Sequence, residues 1–158
     1  MAGHAEIARL RERLGRIDHG ETIDDVLEDN PDLSREALEA AVTPRTRLLV
    51  YTSPSNPLGW VAAGEEQSAL LDFARCHGLW LLADEVYERL YYREGERCAP
   101  SFLDIATPQD RLVVVHSFSK SFLMTGWRVG WLVMPEAMTH HMGKLIEFNT
   151  SCGSVFTQ

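Results

Sequence analysis

Lys120 stands in a run whose side chains could together handle a molecule bearing both an aldehyde and a phosphate. The run is Ser117-Phe118-Ser119-Lys120, followed by Thr125-Gly126-Trp127-Arg128-Val129-Gly130, with the arginine eight positions after the lysine. A lysine amine condenses with an aldehyde, while hydroxyls and a guanidinium fork neutralise a phosphate. Pyridoxal phosphate carries both groups and makes further demands of its site. A partner must keep its pyridine nitrogen protonated, so that the ring can absorb electrons released by C–H cleavage. Donors must hold its ring hydroxyl as the anion.

Candidates for each demand lie within reach in the chain. Asp84, at the end of an apolar run, can pair with a pyridinium and raise its pKa. Asn56 and Tyr87 can donate to the ring oxygen. Arg128, Ser117 and Ser119 can hold the phosphate by bidentate and hydroxyl hydrogen bonds. Each has a plainer reading: a surface lysine, a turn aspartate, a loop amide, a core-edge tyrosine, an arginine in a surface ion pair. Gly126 and Gly130 point to close backbone approach around Arg128.

The elements that must position these residues are legible as periodicity and punctuation. Ala5 to Leu14 reads as a helix and Gly15 to Leu33 as an acidic loop. Ser34 is a helix cap candidate for a short helix through Val42, stopped by Thr43-Pro44. Leu48 to Tyr51 is an apolar strand, closed by the breaker-rich Ser53-Pro54-Ser55-Asn56-Pro57-Leu58-Gly59. Glu65 to His77 is a helix with Leu70, Leu71 and Ala74 as its buried stripe, and Gly78 ends it. Leu79 to Ala83, Leu112 to His116 and Val129 to Met134 are further strands, and Pro135 to Phe148 is helical. Strands buried on both faces and joined through a helix imply an α/β layer fold with a mostly parallel sheet flanked by helices. Ligands of such sheets bind beyond the carboxyl ends of the strands, where Asn56, Asp84 and Ser117 all fall.

Composition narrows the partners. The 158 residues suffice for one cored domain, and 15 Lys+Arg against 23 Asp+Glu leave a net charge of −8. That balance disfavours nucleic acid and anionic membranes over most of the surface. Cys76, Cys98 and Cys152 are odd in number and widely spaced, without a metal-ligand pattern, as expected of reduced thiols in a cytoplasmic protein. No run approaches membrane-spanning length.

The motifs together resemble the class I/II aminotransferases of fold type I, the aspartate aminotransferase-like family. Ser53 to Gly59 is similar to that family's SPxNPTG loop, and Asp84-Glu85-Val86-Tyr87 to its D-E-x-Y strand end. Ser117 to Lys120 with Gly126 to Gly130 is similar to its lysine–arginine signature. Order and spacing fit as well: Asn56 and Asp84 are 28 residues apart, Asp84 and Lys120 36.

The resemblance implies a role for each residue. Lys120 would hold pyridoxal 5'-phosphate as an imine and shuttle the proton between substrate and cofactor carbons. Asp84 would pair with the pyridine nitrogen, Asn56 and Tyr87 would hold the ring oxygen, and Ser117, Ser119 and Arg128 would hold the phosphate. The reaction implied is exchange of an amino group between an amino acid and a 2-oxo acid, in a family whose members are typically homodimers.

The resemblance runs from about Leu33 to Phe156, the middle of a family member. Residues 1–32 form an atypical helix and acidic loop, without the family's upstream glycine loop or ring-stacking aromatic. By the resemblance, residues 33–158 would correspond to a partial cofactor-binding large domain, and the family's small C-terminal domain with its substrate arginine is expected to be absent. Leu58 also replaces the loop's usual threonine. The expectation is a truncated aminotransferase with little turnover on its own. Another fold type I enzyme such as a carbon–sulfur lyase, a cofactor-sensing module and a truncated pseudoenzyme are the alternatives.

Overall fold

The computed structural model describes residues 35–154 and 156. The expected Ala5–Leu14 helix, the Gly15–Leu33 acidic stretch and the Ser34 cap lie outside the described residues. Within them, the chain runs α1 (Arg35–Ala41), β1 (Leu48–Thr52), α2 (Gly64–His77), β2 (Trp80–Asp84), β3 (Leu112–Ser117), α3 (Phe118–Ser121), β4 (Gly130–Val133) and α4 (Thr139–Thr150). Single 3₁₀ turns at Phe102–Asp104, Thr125–Trp127 and Glu136–Met138 punctuate the later half.

The four strands form one sheet in chain order, β1-β2-β3-β4. The first three are parallel and β4 is antiparallel to β3. The register sets Thr52 beside Asp84 and Asp84 beside Val115. Ser117 faces Gly130 across the antiparallel pair. The ends of β1, β2 and β3 therefore open on one edge.

Helix α2 forms where its sequence supplies both ends. Glu65 and Glu66 favour the positive N-terminus, and Glu66 accepts from the Ala63 amide at 2.6 Å. Gly78 closes the helix at φ +63°, a conformation that disfavours any side chain with a Cβ. The helix buries Leu71, Phe73 and Ala74. These pack with Leu49, Tyr51, Leu81, Ala83, Leu112 and Val114 from one sheet face, and with Phe102 from the connection after β2.

Burial thus differs from the expectation that both faces would be covered. β1 and β2 alternate between buried residues and residues that are half-buried or exposed. Val50, Leu82 and Asp84 share the less covered face because α2 lies against the other. The expected stripe of α2 shifts too: Leu70 is only half-buried, while Phe73 and Gln67 are buried. Gln67 stays inside because its Nε2 donates to the Pro100 carbonyl at 2.9 Å. Helix α4 buries no side chain among the described residues.

Candidate functional site

Four segments bring the candidate residues to the carboxyl edge. After β1 the chain turns at once: the Ser53 amide donates to the Asp84 carbonyl at 3.2 Å, and Ser53 Oγ accepts from the Ala62 amide at 3.2 Å. The loop then closes on itself through Ser55 N to Trp60 O at 2.8 Å and Gly59 N to Ser55 O at 2.9 Å. Its tip presents Asn56, exposed, with the Ser53–Pro54 and Asn56–Pro57 peptides cis. After β2 a turn over Glu85–Leu90 presents Tyr87. After β3, Ser117 caps α3 by accepting from the Ser119 amide at 3.0 Å. Lys120 follows on α3, exposed, with Ser119 buried before it.

Asn56, Tyr87 and Lys120 meet although they come from three segments. Asn56 Nδ2 donates to the Tyr87 hydroxyl at 3.1 Å. Lys120 Nζ lies 5.5 Å from the centroid of the Tyr87 ring, close enough for a cation–π attraction.

Asp84 ends β2 half-buried. Its Oδ1 accepts from the Val86 amide at 3.2 Å, and its pKa is raised, chiefly by burial, with that hydrogen bond and the charge of His116 opposing. Among the described residues no cation hydrogen-bonds to it. A half-buried carboxylate whose oxygens are not tied up by a cation's hydrogen bond is the acceptor a pyridinium N–H requires. On this test the residues present fit pyridoxal phosphate.

The phosphate candidates are less assembled. Ser117 spends an acceptor site on α3 and keeps its own O–H to give. Arg128 has φ +54°, a left-handed conformation that costs a non-glycine residue about 1 kcal/mol and persists where the surroundings enforce it. Its Nη1 donates to the Thr125 carbonyl at 3.0 Å, and among the described residues no hydrogen bond joins it to Ser117 or Ser119. Of the two glycines expected to allow close approach, only Gly130 does so. A Cβ there would stand 2.5 Å from the His116 carbonyl, while one at Gly126 would meet nothing within 4 Å.

Polar residues that sequence reasoning passed over hold this edge from behind. Glu85, 1% exposed, accepts from Ser101 Oγ at 2.6 Å and from the Phe102 amide at 2.9 Å. Burial pushes its pKa up against those two hydrogen bonds. His116, buried on β3, stacks on Trp131 with ring centroids 5.0 Å apart and has Glu88 Oε2 3.3 Å from its Nδ1. The only advance signal was an acidic turn and a histidine inside an apolar strand.

Among the described residues no cluster of His, Cys, Asp and Glu is arranged for a metal ion, and no helix is long and apolar enough to cross a membrane.

The chain is similar to known enzymes across this same region. The family described as aminotransferase class I and II matches residues 18–158. An aromatic-amino-acid aminotransferase of Thermococcus litoralis is 38% identical over 126 residues, which are 80% of this chain and 32% of that one. An arginine–pyruvate transaminase of Pseudomonas aeruginosa is 41% identical over 110 residues, 70% of this chain and 27% of its own. The crystal structure of an aspartate aminotransferase from Thermotoga maritima superposes with a TM-score of 0.73 at 34% identity, covering 78% of this chain and 32% of that one. The chain spans about a third of the length of the relatives it matches. With the fold, the motif order and these matches in agreement, the chain belongs to the class I and II aminotransferases.

Proposed function

We propose that this chain binds pyridoxal 5'-phosphate and serves the transfer of an amino group between an amino acid and a 2-oxo acid. The observation that carries the reading is the convergence of Lys120, Tyr87 and Asn56 at the sheet edge where Asp84 ends β2 as a half-buried carboxylate. The bound cofactor would supply an aldehyde for covalent attachment and a ring that accepts electrons. Lys120 Nζ is the covalent anchor and, once released by the substrate amine, the base that takes a proton from the substrate's α-carbon. Asp84 keeps the pyridine nitrogen protonated, and Asn56 with Tyr87 orients the ring oxygen. Ser117, Ser119 and Arg128 hold the phosphate, with the Arg128 guanidinium turning from the Thr125 carbonyl to do so. A cytoplasmic setting belongs to the same reading, in keeping with the three free thiols.

Borohydride reduction of the chain with pyridoxal phosphate, followed by peptide mass mapping, tests the site. A phosphopyridoxyl group on Lys120, lost in Lys120→Ala, is the expected result; a wild-type chain without it would refute the assignment. Incubation with amino acid and 2-oxo acid pairs then separates exchange from the carbon–sulfur lyase alternative, which releases thiol and ammonia.

A further inference from the structure

The turn after β2 touches the Lys120 segment with three residues in succession. Tyr87 lies beneath Lys120 Nζ at 5.5 Å. Glu88 Oε2 is 3.3 Å from Nδ1 of His116, four residues before the lysine. Arg89 places its guanidinium carbon 5.4 Å from the ring centroid of Phe122, two residues after it. Arg89 also reaches back to Glu88, with Nε 3.5 Å from Oε1. One turn thus grips the lysine segment on both sides of the reactive amine.

We propose that His116 and Glu88 are a positioning pair, a clasp that holds the Tyr87 turn against the Lys120 segment and loosens when the imidazole loses its charge. Neither residue touches the reacting atoms. The contact is electrostatic: Nδ1 of His116 has no hydrogen-bond partner among the described residues, so its attraction to Glu88 requires a protonated ring. His116 is 7% exposed and its ring is fixed against Trp131 of β4, so the imidazole stays put while its charge changes. The charged groups around it are Glu88 and Arg89 on the turn, with Asp84 and Glu85 at the end of β2. Three of these four are acidic. When the ring is neutral, the turn keeps its Arg89–Phe122 and Tyr87–Lys120 contacts and the backbone bond from Glu85 to Val115.

The pair rests on Lys120 being the reactive residue of the proposed function, yet it can be read without cofactor. The readout is acylation of Lys120 by an amine-selective reagent across the range in which imidazoles titrate, divided by acylation of Lys144 in the same digest. The division removes the reagent's own pH dependence, because Lys144 is exposed on α4. In the wild type the ratio should rise about threefold as pH increases through that range, the size expected of one partly exposed ion pair. His116→Asn and Glu88→Gln should each give a flat ratio at the wild type's high-pH level. Circular dichroism melts confirm that both variants are folded. A flat wild-type ratio, or the same rise in either folded variant, overturns the clasp. Borohydride trapping in parallel separates this from the cofactor reading: an unlabelled Lys120 there sinks the function, while the acylation ratio still decides the pair.

Discussion

Replacing Asp84 by asparagine should make the cofactor-free chain more stable and its cofactor site weaker at once. The carboxylate is half-buried, accepts from Val86 at 3.2 Å and has its pKa raised, chiefly by burial. Asparagine keeps an oxygen for Val86 and sheds the charge. Removing a desolvated charge that no cation hydrogen-bonds is worth about 1 kcal/mol. For a domain of this size that corresponds to a rise of roughly 4 °C in melting temperature. The pH dependence has a definite sign. A raised folded-state pKa means the folded chain holds this proton more tightly than the unfolded chain does. Wild type therefore loses stability relative to the variant as pH rises through that pKa, and the gap closes below the ordinary aspartate range. Under the proposed function binding moves the other way: losing a charge-assisted hydrogen bond to the pyridinium would cost about 2 kcal/mol, roughly thirtyfold in Kd. Thermal melts from acid to mildly alkaline pH, with a fluorescence titration of pyridoxal phosphate, measure both effects. A variant less stable than wild type at neutral pH, or one with unchanged Kd, would refute the reasoning.

Other sites make separate predictions. Asp110 holds Arg75 in two hydrogen bonds of 2.7 Å and accepts from the Thr107 amide at 2.7 Å, with Arg75 first among the causes that keep its carboxyl well below the usual range. Asp110→Asn should cost about 2 kcal/mol in urea unfolding at neutral pH, kept modest by the exposure of Arg75. That contribution is present above the ordinary aspartate range and fades as pH falls below it, so the two chains should converge in acid. Gly130→Ala should lose about 3 kcal/mol or more and shift the amide resonances of both β3 and β4, since its Cβ would collide with the His116 carbonyl. Tyr87→Phe removes the 3.1 Å bond from Asn56 and keeps the ring under Lys120. It should weaken pyridoxal phosphate about fivefold with little change in melting temperature, as fluorescence titration and thermal melts would record.

Much of this architecture was legible because punctuation and periodicity carry it. Gly78 ends α2 as its position after the apolar stripe requires, and the breaker-rich run after β1 does form a tight loop with Asn56 at its tip. The direction of β4 was not legible. A strand of four residues, Gly130–Val133, has the same apolar pattern whichever way it runs, and only pairing with β3 decides it. Coverage of the sheet was misread for a related reason: apolar runs such as Leu48–Tyr51 fit a two-sided strand, but burial depends on which helices arrive. The Asn56–Tyr87 contact spans 31 residues and was proposed only through a shared ligand, not as a direct hydrogen bond. Glu85 and His116 escaped notice because a buried polar group is explained by partners distant in sequence, here Ser101, Phe102 and Glu88.

The chain-order sheet has a kinetic consequence. Among the described residues, each strand after β1 pairs with the one synthesised just before it. The connection from β2 to β3 is as long as that from β1 to β2, and its chain is not idle. Phe102 drops into the core, and Ser101 with the Phe102 amide satisfies Glu85 before Leu112 begins the next strand. Loop-closure entropy is thereby offset in two shorter steps rather than one long one. The buried glutamate that looks costly in the finished molecule is, during assembly, the knot that shortens the search.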